Sequence, residues 1–298
     1  MTSAQKNGRI SRTPMNYRHA YHAGNFADVV KHAVLAQAVT ALTRKETPFF
    51  VLDTHAGCGS YRLSAEAAQK TGEFKAGVAR VLERADAAPA ALAPYLAALA
   101  AANPGGGFEH YPGSPALVRG LMRPQDRLAL AELHPEDVVA LRRSFAGDRR
   151  VGIHHLDGYQ TVKALLPPPE RRGLVLIDPP FERTDEFERL LTALDRIHRR
   201  WPQGIVLVWY PIKAAEPVER FLDAVAAAGG PETVAVELLL RPATDPFRLN
   251  GSGLLVVNPP WGLAPALAGL LPWLTAVLAP EQGSFRVRPL IAEAVARA

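Results

Sequence analysis

Short apolar runs recur along the chain, and most of them stop at an acidic or glycine-rich turn. They are "PFFVLD" ending at Asp53 before "THAGCG", "RLALAE" ending at Glu132, "RVGIHHLDG" ending at Asp157 and Gly158, "GLVLIDPP" reaching Asp178, and "GIVLVWYP" reaching Pro211. Runs of this length, rich in Val, Ile, Leu and Phe, predict strands, and the stretches between them have helical spacing. The helix before the first strand is the clearest: Phe26, Val30, Val34, Ala38 and Leu42 recur every four residues after Asn25, a capping residue, which predicts an amphipathic helix ending near Lys45. Strands alternating with helices predict an α/β fold, with a parallel sheet covered on both faces.

Two departures refine that plan. "ETVAVELLL" and "GSGLLVVN" are separated only by "RPATDPFRLNGSG", too short for a crossover helix, so the mostly parallel sheet should end on an antiparallel strand. The second concerns spacing. In dinucleotide-type folds the ribose-holding acid ends the second strand about 20 residues after the glycine turn. Here Glu132 follows Gly59 by 73 residues, and the excess is rich in alanine and leucine and closes on "NPGGG". Residues 62–110 therefore read as a small inserted helical subdomain.

Composition narrows the setting. With 298 residues and 48% hydrophobic content the chain can bury a sizeable core, and residues 15–298 read as one domain carrying the insertion. The single cysteine, Cys58, cannot form an internal disulfide and suits a reducing compartment, the cytoplasm. Positive charge at the amino end is not followed by an apolar stretch, so no secretory signal is read. The nearly uncharged run from Leu249 to Gln282 is read as cut into short pieces by Pro259, Pro260, Pro265, Pro272 and Pro280, which argues against a membrane span. The absence of a long apolar surface repeat makes a monomer the default.

Charge is uneven. Residues 1–50 hold seven basic side chains against Asp28 and Glu46, which accounts for the whole net charge of +5. Tyr17, His19, Tyr21 and His22 are interleaved there, as in surfaces that contact phosphates and bases. Residues 1–14 read as a basic, disordered extension, with Met15 an alternative start. His19 and His22 are close enough to suggest a metal, but no third ligand stands at a suitable spacing, so none is expected.

In parallel α/β sheets the ligand lies outside the carboxyl ends of the strands, where this chain gathers Asp53, Glu132, Asp157 and Asp178. Asp178-Pro179-Pro180-Phe181 fits the (Asp, Asn or Ser)-Pro-Pro-aromatic tetrapeptide of amino-directed methyltransferases. An exocyclic adenine amine is a poor nucleophile because its lone pair is delocalised into the ring. A carboxylate and a proline carbonyl accepting its two N–H bonds favour a pyramidal nitrogen, and an aromatic ring can stack on the base. Asn258-Pro259-Pro260-Trp261 satisfies the same pattern. If its strand runs antiparallel, Asn258 ends on the opposite rim and has a structural role only.

The order of motifs "NYRHAYHAGNFADVVKH", "LDTHAGCGSY", "YPGSP", "AELHP", "DGYQ", "GLVLIDPPFE", "VWYPI" and "SGLLVVNPPW" resembles the RlmJ family of bacterial 23S ribosomal RNA adenine-N6 methyltransferases, from about Met15 to Pro280. The resemblance implies a Rossmann-like class I S-adenosylmethionine-dependent methyltransferase fold with an inserted helical subdomain. It implies Asp178 as the catalytic acceptor, also bordering the cofactor, and His32, His55, Ser114, Glu132, Asp157 and Gly158 as contacts to S-adenosylmethionine, with Glu132 on the ribose hydroxyls and Asp157 on the adenine amine. It further implies Tyr17 and Lys31, with Phe181 of the tetrapeptide, as contacts to the RNA, and the need for a buried ribosomal nucleotide to reach the site suggests naked or partly assembled RNA as the substrate. Phe181 stands where the family more often has Tyr. The alternatives are a nucleic-acid-binding protein with a vestigial cofactor site, or an enzyme acting on an adenine or cytosine amine in DNA or a glutamine amide in protein.

Overall fold

The apolar runs become strands because both of their faces are covered. The structure, a computed structural model, describes residues 18–292. Among these the strands are β1 (Phe50–Asp53), β2 (Ser60–Arg62), β3 (His110–Pro112), β4 (Arg127–Ala131), β5 (Val151–His154), β6 (Gly173–Ile177), β7 (Ile205–Ile212), β8 (Thr233–Leu239), β9 (Gly251–Val257) and β10 (Ser284–Ile291). Eight form one sheet in the order β10-β8-β9-β7-β6-β1-β4-β5, while β2 and β3 pair separately. β5, β4, β1, β6 and β7 are mutually parallel, and β9 runs antiparallel to both β7 and β8. This is the sheet of the class I methyltransferase fold, extended by β10.

Side chains alternate between two cores, as a period of two requires. Val51, Leu174 and Leu176 face one layer of helices, whereas Phe50, Leu52, Val175 and Ile177 face the other. The second layer is built from the helices Gly158–Leu165, Glu186–Arg200 and Ala215–Ala228.

The helix Phe26–Thr43 begins where the capping residue predicts, with the Asn25 side chain accepting from the Asp28 N–H at 3.0 Å. It is not amphipathic: 14 of its 18 residues are buried, Asp28, Lys31 and His32 among them. The cause is the segment between β2 and β3, whose Val78, Val81, Leu92, Tyr95 and Leu99 pack into the same core as this helix. A face that would otherwise meet water is roofed over. Residues from 62 to 110 include four helices, Glu66–Thr71, Glu73–Ala76, Val78–Leu82 and Ala93–Ala101, and the β2–β3 pair closes the excursion.

Two further features depart from the sequence reading. Pro272 does not interrupt the run after Pro260: the helix Leu263–Leu278 passes through it. An interior proline costs about 3 kcal/mol, and burying one leucine side chain returns about 1.5–3 kcal/mol, so full burial of Leu270, Leu271 and Leu274 outweighs the defect. Among the described residues no helix is long and apolar enough to cross a membrane. The other feature is β10, which the sequence reading does not anticipate. Its polar–apolar alternation and Pro289 suit the edge position that it takes beside β8.

Asn258 follows β9 at the rim away from the carboxyl ends of the parallel strands. Its side-chain amide donates to the carbonyls of Pro202 and Gly204, both at 2.8 Å, just ahead of β7. It adopts a left-handed conformation with φ of 51°, which asparagine tolerates well. The second proline pair thus fixes a turn on the far side of the sheet.

Candidate active site

Parallel register sets Asp53 opposite Leu130 of β4 and Leu176 of β6, so the turns after these three strands emerge on one rim. A cleft of about 1880 Å³ opens there. Every site residue predicted from the sequence borders it except Tyr17, which lies outside the described residues, as does the segment 1–14.

The glycine turn after β1 fixes one end of the cleft. Gly57 has φ of 57°, and a Cβ there would stand 2.1 Å from the Tyr61 hydroxyl, so both backbone and space demand glycine. The Gly57 N–H donates to Glu132 Oε2 at 2.7 Å and the His134 N–H to Oε1 at 2.6 Å. Glu132 is thereby oriented while each oxygen keeps a lone pair for a further donor. Burial raises its pKa despite these two N–H groups.

Asp157 caps the helix Gly158–Leu165 through the N–H groups of Tyr159 and Gln160, and its other oxygen accepts from Arg189 at 3.2 Å. Gly158 is needed for close approach, since a Cβ would meet the Thr54 carbonyl oxygen at 2.2 Å. His55 lies against the Tyr159 ring, with Nδ1 2.8 Å from the Thr54 hydroxyl, and burial lowers its pKa to about 4. The imidazole is neutral at physiological pH.

Asp53, grouped with the rim by its sequence position, lies beneath the floor of the cleft and is fully buried. Ser114 borders the cleft but donates its hydroxyl to Asp53 Oδ2 at 2.6 Å. Burial pushes the Asp53 carboxyl from 3.8 up to about 6, against the Ser114 hydrogen bond and with help from Asp178. Between those values the folded protein holds a proton that the unfolded chain has released. The contribution of Asp53 to stability is therefore fully present below the ordinary value and lost as pH rises through about 6. Asp53→Asn should abolish this loss: measured by urea unfolding, its stability relative to the parent should rise by up to about 3 kcal/mol between about pH 4 and pH 7. Parallel stability–pH curves would show that Asp53 titrates normally.

At the centre of the cleft the turn after β6 presents Asp178. Its Oδ2 accepts from the Lys31 ammonium at 2.5 Å, and the same ammonium pairs with Asp28 at 2.8 Å. Lys31 is only 4% exposed. Burial works against its charge, but Asp178 and Asp28 outweigh that and raise its pKa above the usual value. Both close partners of Lys31 are thus the protein's own carboxylates, whereas the resemblance implies it as an RNA contact. Phe181, left-handed with φ of 50°, stands edge-on to Phe187 and Trp209 with ring centroids at 5.2 and 5.8 Å.

His32 makes a third kind of contact. Its Nδ1 is 2.7 Å from the Tyr111 hydroxyl, itself 3.2 Å from that of Tyr95, whereas Nε2 is buried without a partner among the described residues. Burial lowers its pKa to about 3. A neutral histidine bordering the cleft with one unsatisfied nitrogen is suited to a polar group of a ligand.

Comparison with known proteins locates this geometry. Residues 46–291 match the family model described as ribosomal RNA large subunit methyltransferase D, RlmJ. The chain belongs to the RlmJ family. It is 41% identical to ribosomal RNA large subunit methyltransferase J of Escherichia coli K12 over 266 residues, which is 89% of this chain and 95% of the relative. The Haemophilus influenzae protein of the same name is 42% identical over 275 residues, 92% of this chain and 98% of the other. A crystal structure of a Legionella pneumophila protein superposes with a TM-score of 0.84 at 34% identity, covering 90% of this chain and 98% of that one.

Several cleft residues of this RlmJ-family chain escape the sequence reading. Asp28, 2% exposed, accepts from Lys31, the Gly24 N–H and His19 Nε2. Its signal was available: an Asp and a Lys three apart inside an otherwise apolar helix. Arg189 and Trp209 also border the cleft; nothing local marks Arg189, and Trp209, although within the motif "VWYPI", is not singled out by it, because only packing brings the Glu186–Arg200 helix and the end of β7 to the cleft. His19 and His22, read as a weak metal pair, turn to different carboxylates, Asp28 and Glu73, each at 2.9 Å.

Proposed function

We propose that this protein transfers a methyl group from S-adenosylmethionine to the exocyclic N6 amine of an adenine in 23S ribosomal RNA, acting as a monomer in the cytoplasm on naked or partly assembled RNA. The observation that carries the reading is the Asp178 carboxylate, tethered by Lys31 in an Asp-Pro-Pro-Phe turn inside one cleft with Glu132 and Phe181. The relatives' names specify ribosomal RNA of the large subunit as their substrate.

The cofactor supplies an electrophilic methyl on a sulfonium. The residues fit it: Glu132 has lone pairs directed away from its two backbone donors for ribose hydroxyls, and the buried Nε2 of His32 lacks the partner that a polar cofactor group would give. Asp157, with Arg189 on one oxygen, can also accept an adenine amine. Ser114 and Gly158 border the same cleft, Ser114 with its hydroxyl on Asp53 and Gly158 packed against the Thr54 carbonyl.

Phe181, backed by Phe187 and Trp209, offers a rigid face for the target base. With Lys31 on Oδ2, the second oxygen of Asp178 is left for one N–H of the amine, and a proline carbonyl accepts the other. The nitrogen lone pair then points at the methyl group, and the rate comes from alignment and from electrostatics. As the N–C bond formed, the methyl–sulfur bond would break with its electron pair left on sulfur as a neutral thioether, and the surplus proton on nitrogen would pass to Asp178 or through water to solvent. No metal is required in this scheme.

The test is methyl transfer from labelled cofactor to deproteinised 23S RNA, with the digest searched for N6-methyladenosine. Label confined to another base or to protein would refute the reading. Glu132→Gln keeps the shape but removes charge from the ribose acceptor, and calorimetry should show cofactor affinity about 10-fold to 100-fold weaker. Unchanged affinity would remove Glu132 from the cofactor site.

A further inference from the structure

Besides Phe181 and Trp209, the cleft is bordered by Arg241 and Arg248 of the segment linking β8 to β9 and by Lys213, directly after β7. Arg248 is paired with Asp245 at 3.2 Å, but neither Lys213 nor Arg241 has an ion-pair partner among the described residues. Next to Arg248 stands Phe247, 95% exposed. A large ring left in water is ordinary on a loose loop, but this loop is not loose. Asn250, fully buried, donates from its side chain to the carbonyls of Lys213 and Asp245 at 2.8 and 2.7 Å and from its N–H to Ile212. Asp245 in turn accepts from the Phe247 N–H at 3.0 Å. The loop is pinned to the end of β7 and holds the ring outward.

We propose that this loop is a second nucleotide-binding element: Phe247 stacks on an unpaired base of the strand that delivers the target, and Lys213 and Arg241 neutralise phosphates of that strand. The inference rests on the RNA methyltransferase reading above and extends it from the target base to the neighbouring nucleotides. An outward ring on a loop that also carries the unpaired Arg241, pinned to the strand end that carries the unpaired Lys213, is a combination suited to single-stranded nucleic acid, since stacking is tolerant of sequence and the backbone carries the charge. Phe247 lies between the charged Asp245 and Arg248 in "TDPFRLN", a setting unlike that of a core residue.

The experiment uses the full chain and a 23S RNA fragment containing the methylated adenine. Phe247→Ala should raise the Kd for RNA by about fivefold to 100-fold, Phe247→Leu should behave similarly, and Phe247→Trp should bind close to the parent. Lys213→Gln with Arg241→Gln should flatten the dependence of log Kd on log salt by about 0.7 for each phosphate no longer neutralised. Thermal unfolding of each variant checks that exposed substitutions leave the fold intact. A parent that transfers methyl to RNA while Phe247→Ala or Phe247→Leu binds as tightly as the parent would overturn the stacking assignment alone. A parent that neither binds nor methylates the RNA would remove the reading on which it rests. A loss seen on ribosomal particles and absent on naked RNA would give the ring to a protein partner and likewise overturn the proposal.

Discussion

Asp178→Ala is expected to lower methyl transfer to 23S RNA by about 100-fold to 1000-fold, with the larger part of the effect in turnover. The substitution removes the acceptor that orients the amine and leaves Lys31 with Asp28 as its remaining carboxylate partner. A positive charge then faces a nitrogen that must become more positive as the N–C bond forms. Both effects act on the transition state more than on the bound base. Asp178→Asn separates them: an amide oxygen still accepts one N–H but neutralises nothing, so an intermediate rate is expected. Single-turnover measurements with saturating cofactor report the step directly. Rates within threefold of the parent for Asp178→Ala would exclude this carboxylate from the chemistry.

Lys31→Met is expected to cost about 3 kcal/mol of stability in addition to activity, because it leaves the buried Asp28 carboxylate without its ammonium partner, with only His19 and the Gly24 N–H on its other oxygen. Asp28 is 2% exposed, and although burial opposes its charge, His19 and Lys31 hold its pKa well below the usual carboxylate range. A group held ionised in this way contributes stability above its ordinary value, and that contribution is lost as pH falls through the lowered one. The cost of Lys31→Met should therefore shrink on acidification, as Asp28 takes up a proton. Adding Asp28→Asn should recover part of the loss, since a neutral amide needs no cation. Denaturant titration of the single and double variants measures the coupling, and additive costs would show that the two side chains do not interact. Asp53 carries the opposite pH dependence, so the two carboxyls shape different parts of the acid limb.

The sequence by itself was sufficient for seven of the eight strands of the main sheet, all but the edge strand β10. Apolar runs that end at Asp53, Glu132, Asp157 and Asp178 were legible because strand length, β-branched content and turn residues are local properties. The antiparallel placement of "GSGLLVVN" followed from the length of one linker, and with it the separation of Asn258 from Asp178, which the topology bears out. The helices between residues 62 and 110 fall in the excess of chain that the spacing from Gly59 to Glu132 marks.

Tertiary structure alone decided which polar groups face one another. The resemblance implies Lys31 as an RNA contact, and only the folded chain, which sets the turn after β6 against the Phe26–Thr43 helix, shows it buried between Asp28 and Asp178. Asp53 reads as a rim carboxylate, yet closure of the sheet sinks it under Ser114. Trp209 and the Phe247 loop reach the cleft through strand order, which no local window contains. Periodicity reports which face of an element is apolar. It does not report what other element will cover that face, and for a buried charge the covering element sets both its partner and its protonation.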